Sequence, residues 1–279
     1  MEIINWGSRG SIPVSGQDFL EYGGDTTCVE IISKNNYRII IDAGSGIRNL
    51  GTKILKNEIN EVSIIFTHSH LDHLLGFPFF KPIYMKGKKI DIYGCPFAQE
   101  AIRKIFSSSM IPPFFPVDYE DLSAEITFHG AALKPFTIDT VEIIPIALSH
   151  PNHAIGYKFI EDGKSFVFLT DNELTFQHAG GFEYKDYVEF SLNADLLFHD
   201  AEFTEKEYKK TKSWGHSTYK KALQLALDAN VKQFGLFHHN QERTDLQIDK
   251  IVEDCKRVIE QNNSELICFG VKTGTKIKL

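Results

Sequence analysis

The chain has 279 residues, 42% apolar and 24% charged, and a fold of this size buries about three quarters of its extended-chain surface. That excludes a disordered or collagen-like chain and makes disulfide staples unnecessary. Thirty lysines and arginines against 37 aspartates and glutamates give a net charge of −7, which argues against a protein held on duplex nucleic acid mainly by phosphate neutralisation.

Uninterrupted apolar runs are short, as at Ile64-Ile65-Phe66, so no bilayer-spanning segment is expected. The start, MEIINWGSRG, has an acid at position 2 and no apolar stretch after its first basic residue, so no secretory signal is expected. Cysteines at 28, 95, 255 and 268 share no C-x-x-C spacing and read as reduced, mostly buried thiols of a cytoplasmic protein.

Residues 28–32 and 37–41 read as strands joined by the turn Ser33-Lys34-Asn35-Asn36. The β-branched run at 62–67 reads as a buried strand that delivers the chain into the loop HSHLDH. Another short strand follows at 89–93, closed by Gly94. Over 96–109, Ala98, Ala101, Ile102 and Ile105 share a helical face, with Pro96 suited to the first turn. The stretch at 111–119 is too rich in proline for a helix. Strand spacing returns at 141–148, 156–160 and 165–170, and Pro145 predicts an edge strand or a bulge there.

In the C-terminal third the period changes. Tyr219, Ala222, Leu223 and Ala226 predict a helix from about Ser217, and residues 233–237 a strand ending in His238-His239. Ile248, Ile251, Val252, Cys255, Val258 and Ile259 keep helical spacing, and a last strand is expected at 266–271. No solenoid repeat or long linker divides the chain, so one domain over 1–279 is expected, with two sheets between helical layers.

The chemistry concentrates at His68-Ser69-His70-Leu71-Asp72-His73. Three imidazoles and a carboxylate in six residues each need a polar partner if buried. In an extended loop His68 and His70 point one way while Asp72 and His73 turn toward a neighbouring position, which offers two ligands to each of two cations. Imidazole and carboxylate suit Zn²⁺, and also Mn²⁺ or Fe²⁺. Further candidates stand just past predicted strand ends: His150, Asp171 and His238.

The His-x-His-x-Asp-His core resembles the metallo-β-lactamase superfamily. Gly7-Ser8-Arg9-Gly10-Ser11-Ile12-Pro13, Tyr22-Gly23-Gly24-Asp25-Thr26-Thr27-Cys28 and Ile41-Asp42-Ala43-Gly44-Ser45-Gly46 are similar to its phosphodiesterase branch, which includes ribonuclease Z and bacterial cyclic nucleotide phosphodiesterases. So are Leu148-Ser149-His150, Phe198-His199-Asp200-Ala201-Glu202-Phe203, Trp214-Gly215-His216-Ser217-Thr218 and Leu236-Phe237-His238-His239. Asp25 stands where that branch usually has Asn.

The resemblance implies an α/β fold, a four-layer αββα sandwich of two mixed β-sheets flanked by helices. It also implies two divalent metal ions, with Zn²⁺ favoured. His68, His70 and His150 would hold one, and Asp72, His73 and His238 the other, with Asp171 bridging. His238 is preferred to its neighbour His239. Hydroxide between the metals would attack phosphorus, Asp72 would orient it, and His216, held by Asp200, would protonate the leaving alkoxide. Asp42 with its Gly-Ser-Gly turn reads as structural. His153 is open to two readings, a substrate contact or a solvated loop histidine.

The Asp200/His216 pair favours phosphodiester cleavage over lactamase or thioesterase chemistry, because an alkoxide leaving group benefits most from a proton donor. A tRNA-processing enzyme usually carries a long basic arm, and the 96–125 region is modest in length with no cluster of Lys and Arg. The expected function is therefore a cytoplasmic, dimeric phosphodiesterase opening a 3′,5′-cyclic nucleotide to the 5′-monophosphate. Ribonuclease Z-like tRNA 3′-processing is the alternative. Another hydrolase of the metallo-β-lactamase fold or a nucleotide-binding protein without turnover ranks below it, because Asp72, Asp171 and His216 are all present. Phe114, Phe115 and Tyr119 would form a lid for base stacking, or else lie in the core or at the dimer contact.

Overall fold

A computed structural model of the protein describes residues 1–94, 99–130 and 133–279. Among these residues fourteen strands form two mixed sheets of seven. The first holds β1 (Glu2–Gly7), β2 (Cys28–Ile32), β3 (Arg38–Ile41), β4 (Glu61–Ile65), β5 (Lys89–Tyr93) and β6 (Glu125–His129) in chain order. The C-terminal β14 (Lys276–Lys278) is added beyond β1. The second holds β7 (Phe136–Ile138), β8 (Val141–Leu148), β9 (Ala154–Glu161), β10 (Lys164–Leu169), β11 (Leu196–Asp200), β12 (Gln233–Phe237) and β13 (Ile267–Gly270).

Both sheets follow one plan, an antiparallel half followed by a parallel half. In the first, β1, β2 and β3 are antiparallel and β3 to β6 parallel. In the second, β7 to β10 are antiparallel and β10 to β13 parallel. Parallel neighbours need a crossover between them, and this is where most of the helices fall. They are α1 (Ile47–Lys56), α2 (Leu71–Leu74), α3 (Gln99–Ser109), α4 (Tyr184–Ser191), α5 (Glu205–Thr211), α6 (Tyr219–Asp228) and α7 (Asp245–Gln261).

One buried cluster joins the two sheets, with Ile31, Ile40 and Ile64 from the first and Phe159, Phe166 and Phe198 from the second. Ile47, Leu50 and Ile54 of α1 and Ile102 and Phe106 of α3 extend it over the first sheet. A second cluster packs Ala222 and Leu223 of α6 and Cys255 and Ile259 of α7 against Val167, Leu197 and Phe234. Helix, sheet, sheet, helix is the expected four-layer sandwich. Among the described residues no helix is long and apolar enough to cross a membrane.

The expected helix over 96–109 is described from Gln99, with Ile102 fully buried. Its predicted first turn at Pro96, together with Ala98 and Cys95, lies outside the described residues. Cys28, Cys255 and Cys268 are buried and unbridged. Pro145 sits in β8 without a register shift against β9, so no bulge forms there. The strand is nonetheless an edge at that point, because β7 pairs only as far as Ile143.

Candidate active site

Parallel strands end at one edge of their sheet, and the candidate residues stand at those ends. In the first sheet β3 leads to Asp42 and β4 to the 68–73 loop. In the second β8 leads to His150, β10 to Asp171 and β12 to His238, while β11 ends on Asp200. The Ile155 N–H donates to the Thr67 carbonyl at 3.0 Å and ties the two edges together. Asp42, Asp171 and His238 adopt left-handed φ angles of 59°, 56° and 55° just past their strands. That backbone costs a non-glycine residue roughly 1–3 kcal/mol and is retained where surrounding structure over-determines it.

Asp171 lies at the centre. Its Oδ2 is 3.5 Å from His68 Nε2 and 3.7 Å from His150 Nε2, and its Oδ1 is 3.4 Å from both His73 Nε2 and His238 Nε2. Asp72 Oδ2 stands 3.3 Å from His73 Nε2 and 3.2 Å from His238 Nε2. His70 Nδ1 is 3.0 Å from His150 Nε2. Around Asp171 lie two clusters, His68 with His70, His150 and Asp171, and Asp72 with His73 and His238. In each, the candidate ligand atoms lie within 4.8 Å of one another, and a third such group, Asp200 with Glu202, His216 and His238, adjoins the second through His238.

Four of the imidazoles are oriented from behind. His73 Nδ1 is 2.8 Å from Asp42 Oδ2, His150 Nδ1 is 2.9 Å from the Gly215 carbonyl, and His238 Nδ1 is 3.0 Å from Glu202 Oε2. His68 Nδ1 lies 3.0 Å from Thr67 Oγ1, which donates in turn to Asp42. With the outer nitrogen engaged, each Nε2 faces the shared centre, and His68 Nε2 and His73 Nε2 are buried there without a hydrogen-bond partner. Buried ring nitrogens left unpaired beside two carboxylates fit a pair of divalent cations. Bonds from the outer nitrogens to carboxylate or carbonyl are the usual support for ligating imidazoles.

The charges divide the imidazoles. Burial lowers the proton affinity of His73 and His238, but the carboxylates around them outweigh it and raise both well above the ordinary range, so a cation bound there would displace a proton from each. Burial holds the His150 imidazole down at about 3 and that of His68 well below the ordinary range, so both are neutral and able to ligate. Burial works against the carboxylates of Asp72 and Asp171, but the adjacent rings of His73 and His238 hold both well below the usual range. Two glycines let backbone approach the clustered rings. A Cβ at Gly10 would stand 2.3 Å from the His238 ring, and one at Gly215 would stand 2.1 Å from His150 Nδ1.

His216 stands beside these clusters. Its Nδ1 is 2.8 Å from Asp200 Oδ2 and 3.4 Å from Glu202 Oε2. Burial lowers its proton affinity, but the two carboxylates outweigh burial and raise its pKa to about 9. The ring lines a cleft of about 450 Å³ together with Ser11, Glu202, Lys210, Trp214 and Asn240.

His239 is turned away and donates from Nε2 to the Val271 carbonyl at 2.9 Å, so His238 alone of the pair faces the clusters. His153 is exposed, with a left-handed φ of 65°. Phe114 and Phe115 line an apolar groove with Leu71 and Phe79, and Leu71 sits between His70 and Asp72. Tyr119 does not join them. It is 8% exposed and packed in the main core, the second of the two places open to it from sequence, and so does not contribute to an aromatic lid.

Three further acids belong to the site. Asp42, read from sequence as part of a structural turn, accepts from Thr67 N–H and Thr67 Oγ1 and orients His73. Glu202 sits behind His238 and accepts from Asn240 at 2.9 Å. Glu173, fully buried, accepts from the backbone N–H groups of Ser213 and Gly215 at 2.7 and 2.8 Å and so fixes the loop that carries His216. Asp42 and Glu202 lie within the segments similar to the phosphodiesterase branch, whereas Glu173 stands two residues past Asp171 with nothing in the sequence to mark it as buried.

The model of the beta-lactamase superfamily domain matches residues 37–239, a span that includes both clusters. Ribonuclease Z of Picrophilus torridus is 23% identical over 314 aligned positions, covering 97% of this chain and 96% of its own. The metallo-beta-lactamase fold protein YhfI from Bacillus subtilis superposes with a TM-score of 0.72 at 17% identity, covering 99% of this chain and 98% of its own. A diphosphatase of the PhnP family gives 0.70 at 18%, covering 100% and 97%. The chain belongs to the beta-lactamase superfamily, as a metal-dependent hydrolase of metallo-β-lactamase fold in the branch of ribonuclease Z and the phosphodiesterases.

Proposed function

We propose that the protein is a dinuclear phosphodiesterase acting on a small nucleotide diester, foremost a 3′,5′-cyclic nucleotide opened to the 5′-monophosphate. The observation that carries this reading is Asp171, whose two oxygens each face a separate pair of imidazoles. His68, His70 and His150 would hold one cation, Asp72, His73 and His238 the other, with Asp171 shared between them. When bound, such a pair supplies Lewis acidity toward a phosphoryl oxygen and toward water.

The side chains do the rest. Asp72 is itself oriented, since its Oδ2 accepts from the Ser11 N–H at 2.9 Å, and it accepts a hydrogen bond from the attacking water and aims it at phosphorus. His216 Nδ1 is engaged by Asp200, which leaves Nε2 to give its proton to the leaving alkoxide as the P–O bond breaks. Asp200 holds the ring and its tautomer and stays a carboxylate throughout.

Cleft size and charge favour a small substrate. Lys210 is the one lysine or arginine lining the cleft, beside His216 and against Glu202, Glu207 and Glu242. Between residues 99 and 125 the basic residues are Arg103 and Lys104 alone. A long polyanion gains affinity by neutralising many phosphates, and this surface offers few cations for it. Maturation of tRNA 3′ ends is the second reading, favoured by the near full-length match to the Picrophilus torridus ribonuclease Z.

The test is a panel of cyclic AMP, cyclic GMP, a linear dinucleotide and a tRNA precursor, given to Zn²⁺- and Mn²⁺-loaded protein. Cyclic nucleotides are expected to be opened faster than the precursor is trimmed. The opposite order would replace the first reading by the second, and no turnover of any diester would overturn both.

A further inference from the structure

We infer that Trp214 is the stacking platform for the base of the substrate, on the leaving-group side of the cleft. This rests on the phosphodiesterase reading and adds the requirement that the leaving group carry an aromatic ring.

Trp214 is 63% exposed, although an indole offers more apolar surface to bury than any other side chain. A single exposed apolar residue is ordinary on a mobile surface loop. This loop is not of that kind. The Trp214 N–H donates to the Thr211 carbonyl at 3.1 Å. On either side of it, Ser213 N–H and Gly215 N–H donate to the two oxygens of the buried Glu173 carboxylate at 2.7 and 2.8 Å. The Gly215 carbonyl takes the His150 ring at 2.9 Å. Ser213 and Gly215 carry left-handed φ angles of 70° and 95°, so the chain turns sharply on both sides of the indole. The backbone is fixed at four atoms while the ring is left in solvent.

The ring also stands in the right place. It lines the same cleft as His216, two residues on, and Lys210 lines that cleft as well. His216 protonates the leaving oxygen, so the space beyond it takes the leaving group. In a 3′,5′-cyclic nucleotide the leaving oxygen is O3′, and the base hangs from the same sugar. Stacking a base on an indole needs no base-specific hydrogen bond, so the site should tolerate both purines.

The chain has two tryptophans, and Trp6 is held elsewhere, with its Nε1 donating to Glu30 at 3.0 Å. The emission lost in Trp214→Phe therefore reports on Trp214, with Trp6 as the constant background. Titration of the metal-loaded protein with adenosine 5′-monophosphate is expected to quench emission, whereas inorganic phosphate is not, and the quench should vanish in Trp214→Phe. In turnover, Trp214→Ala should lower kcat/KM for cyclic AMP about tenfold more than for glycerophosphoethanolamine, a diester without a ring, mainly through KM. Trp214→Phe should recover most of that loss. Equal losses on both diesters, no loss on cyclic AMP, or quenching by phosphate as strong as by the nucleotide would overturn the platform. If the wild type hydrolyses no phosphodiester, the function reading falls, and the fluorescence titration still decides the platform by itself.

Discussion

Asp72→Ala is expected to lower phosphodiester turnover by roughly 10³-fold or more while the protein stays folded. Asp72 Oδ2 lies within 3.3 Å of both His73 Nε2 and His238 Nε2, so on the proposed mechanism its loss removes a ligand from one cluster and the acceptor that aims the water. The fold should survive, because the carboxylate is surrounded by other polar site groups and leaves no apolar cavity when removed. The check is kcat on the preferred diester, beside a circular dichroism spectrum and a denaturation midpoint. Undiminished hydrolysis by a folded variant would remove the mechanism.

His216→Ala should lower kcat by about 10²–10⁴-fold for substrates with an alkoxide leaving group. For bis(p-nitrophenyl) phosphate the loss should be at most about tenfold, because nitrophenolate departs without a proton. The ring's other contacts predict the same split. His216 Nδ1 is bound by Asp200 at 2.8 Å and its ring stacks on that of His238 at 4.7 Å, but none of the seven proposed ligands depends on it for a hydrogen bond, so its removal should leave them in place. Equal losses on the two substrates would make His216 a structural prop rather than a proton donor.

Much of this site was legible because its residues follow strands. The apolar run before His68 and those before Asp171 and His238 each mark a strand that ends at the site, and in a parallel sheet such ends share an edge. What the sequence hid has physical reasons. β14 is three residues long and exists only by pairing with β1, a contact between the two chain ends. β1 itself carries Asn5, a buried polar residue that breaks the apolar alternation. Helix α1 was missed because IRNLGTKILK mixes glycine and asparagine into its period, although Ile47, Leu50 and Ile54 form a buried face.

Tyr119 could not be assigned between lid and core for the opposite reason. Composition showed a proline- and aromatic-rich segment, but only packing decides which rings turn inward. Phe114 remains 80% exposed while Tyr119 enters the core. The orienting acids were hidden in the same way. Asp42 and Glu202 stand in recognisable segments, but their place behind His73 and His238 shows only in the fold, and Glu173 looks like an ordinary surface acid until the fold sets it behind the loop of His216.

The central claim is that two cations share Asp171, and metal content per chain tests it most directly. Protein purified without chelator, or reloaded with Zn²⁺ and dialysed, should contain two equivalents by elemental analysis, and Asp171→Ala fewer than one. Wild-type protein that retains no more than one equivalent, or a folded Asp171→Ala variant that keeps both, would contradict it.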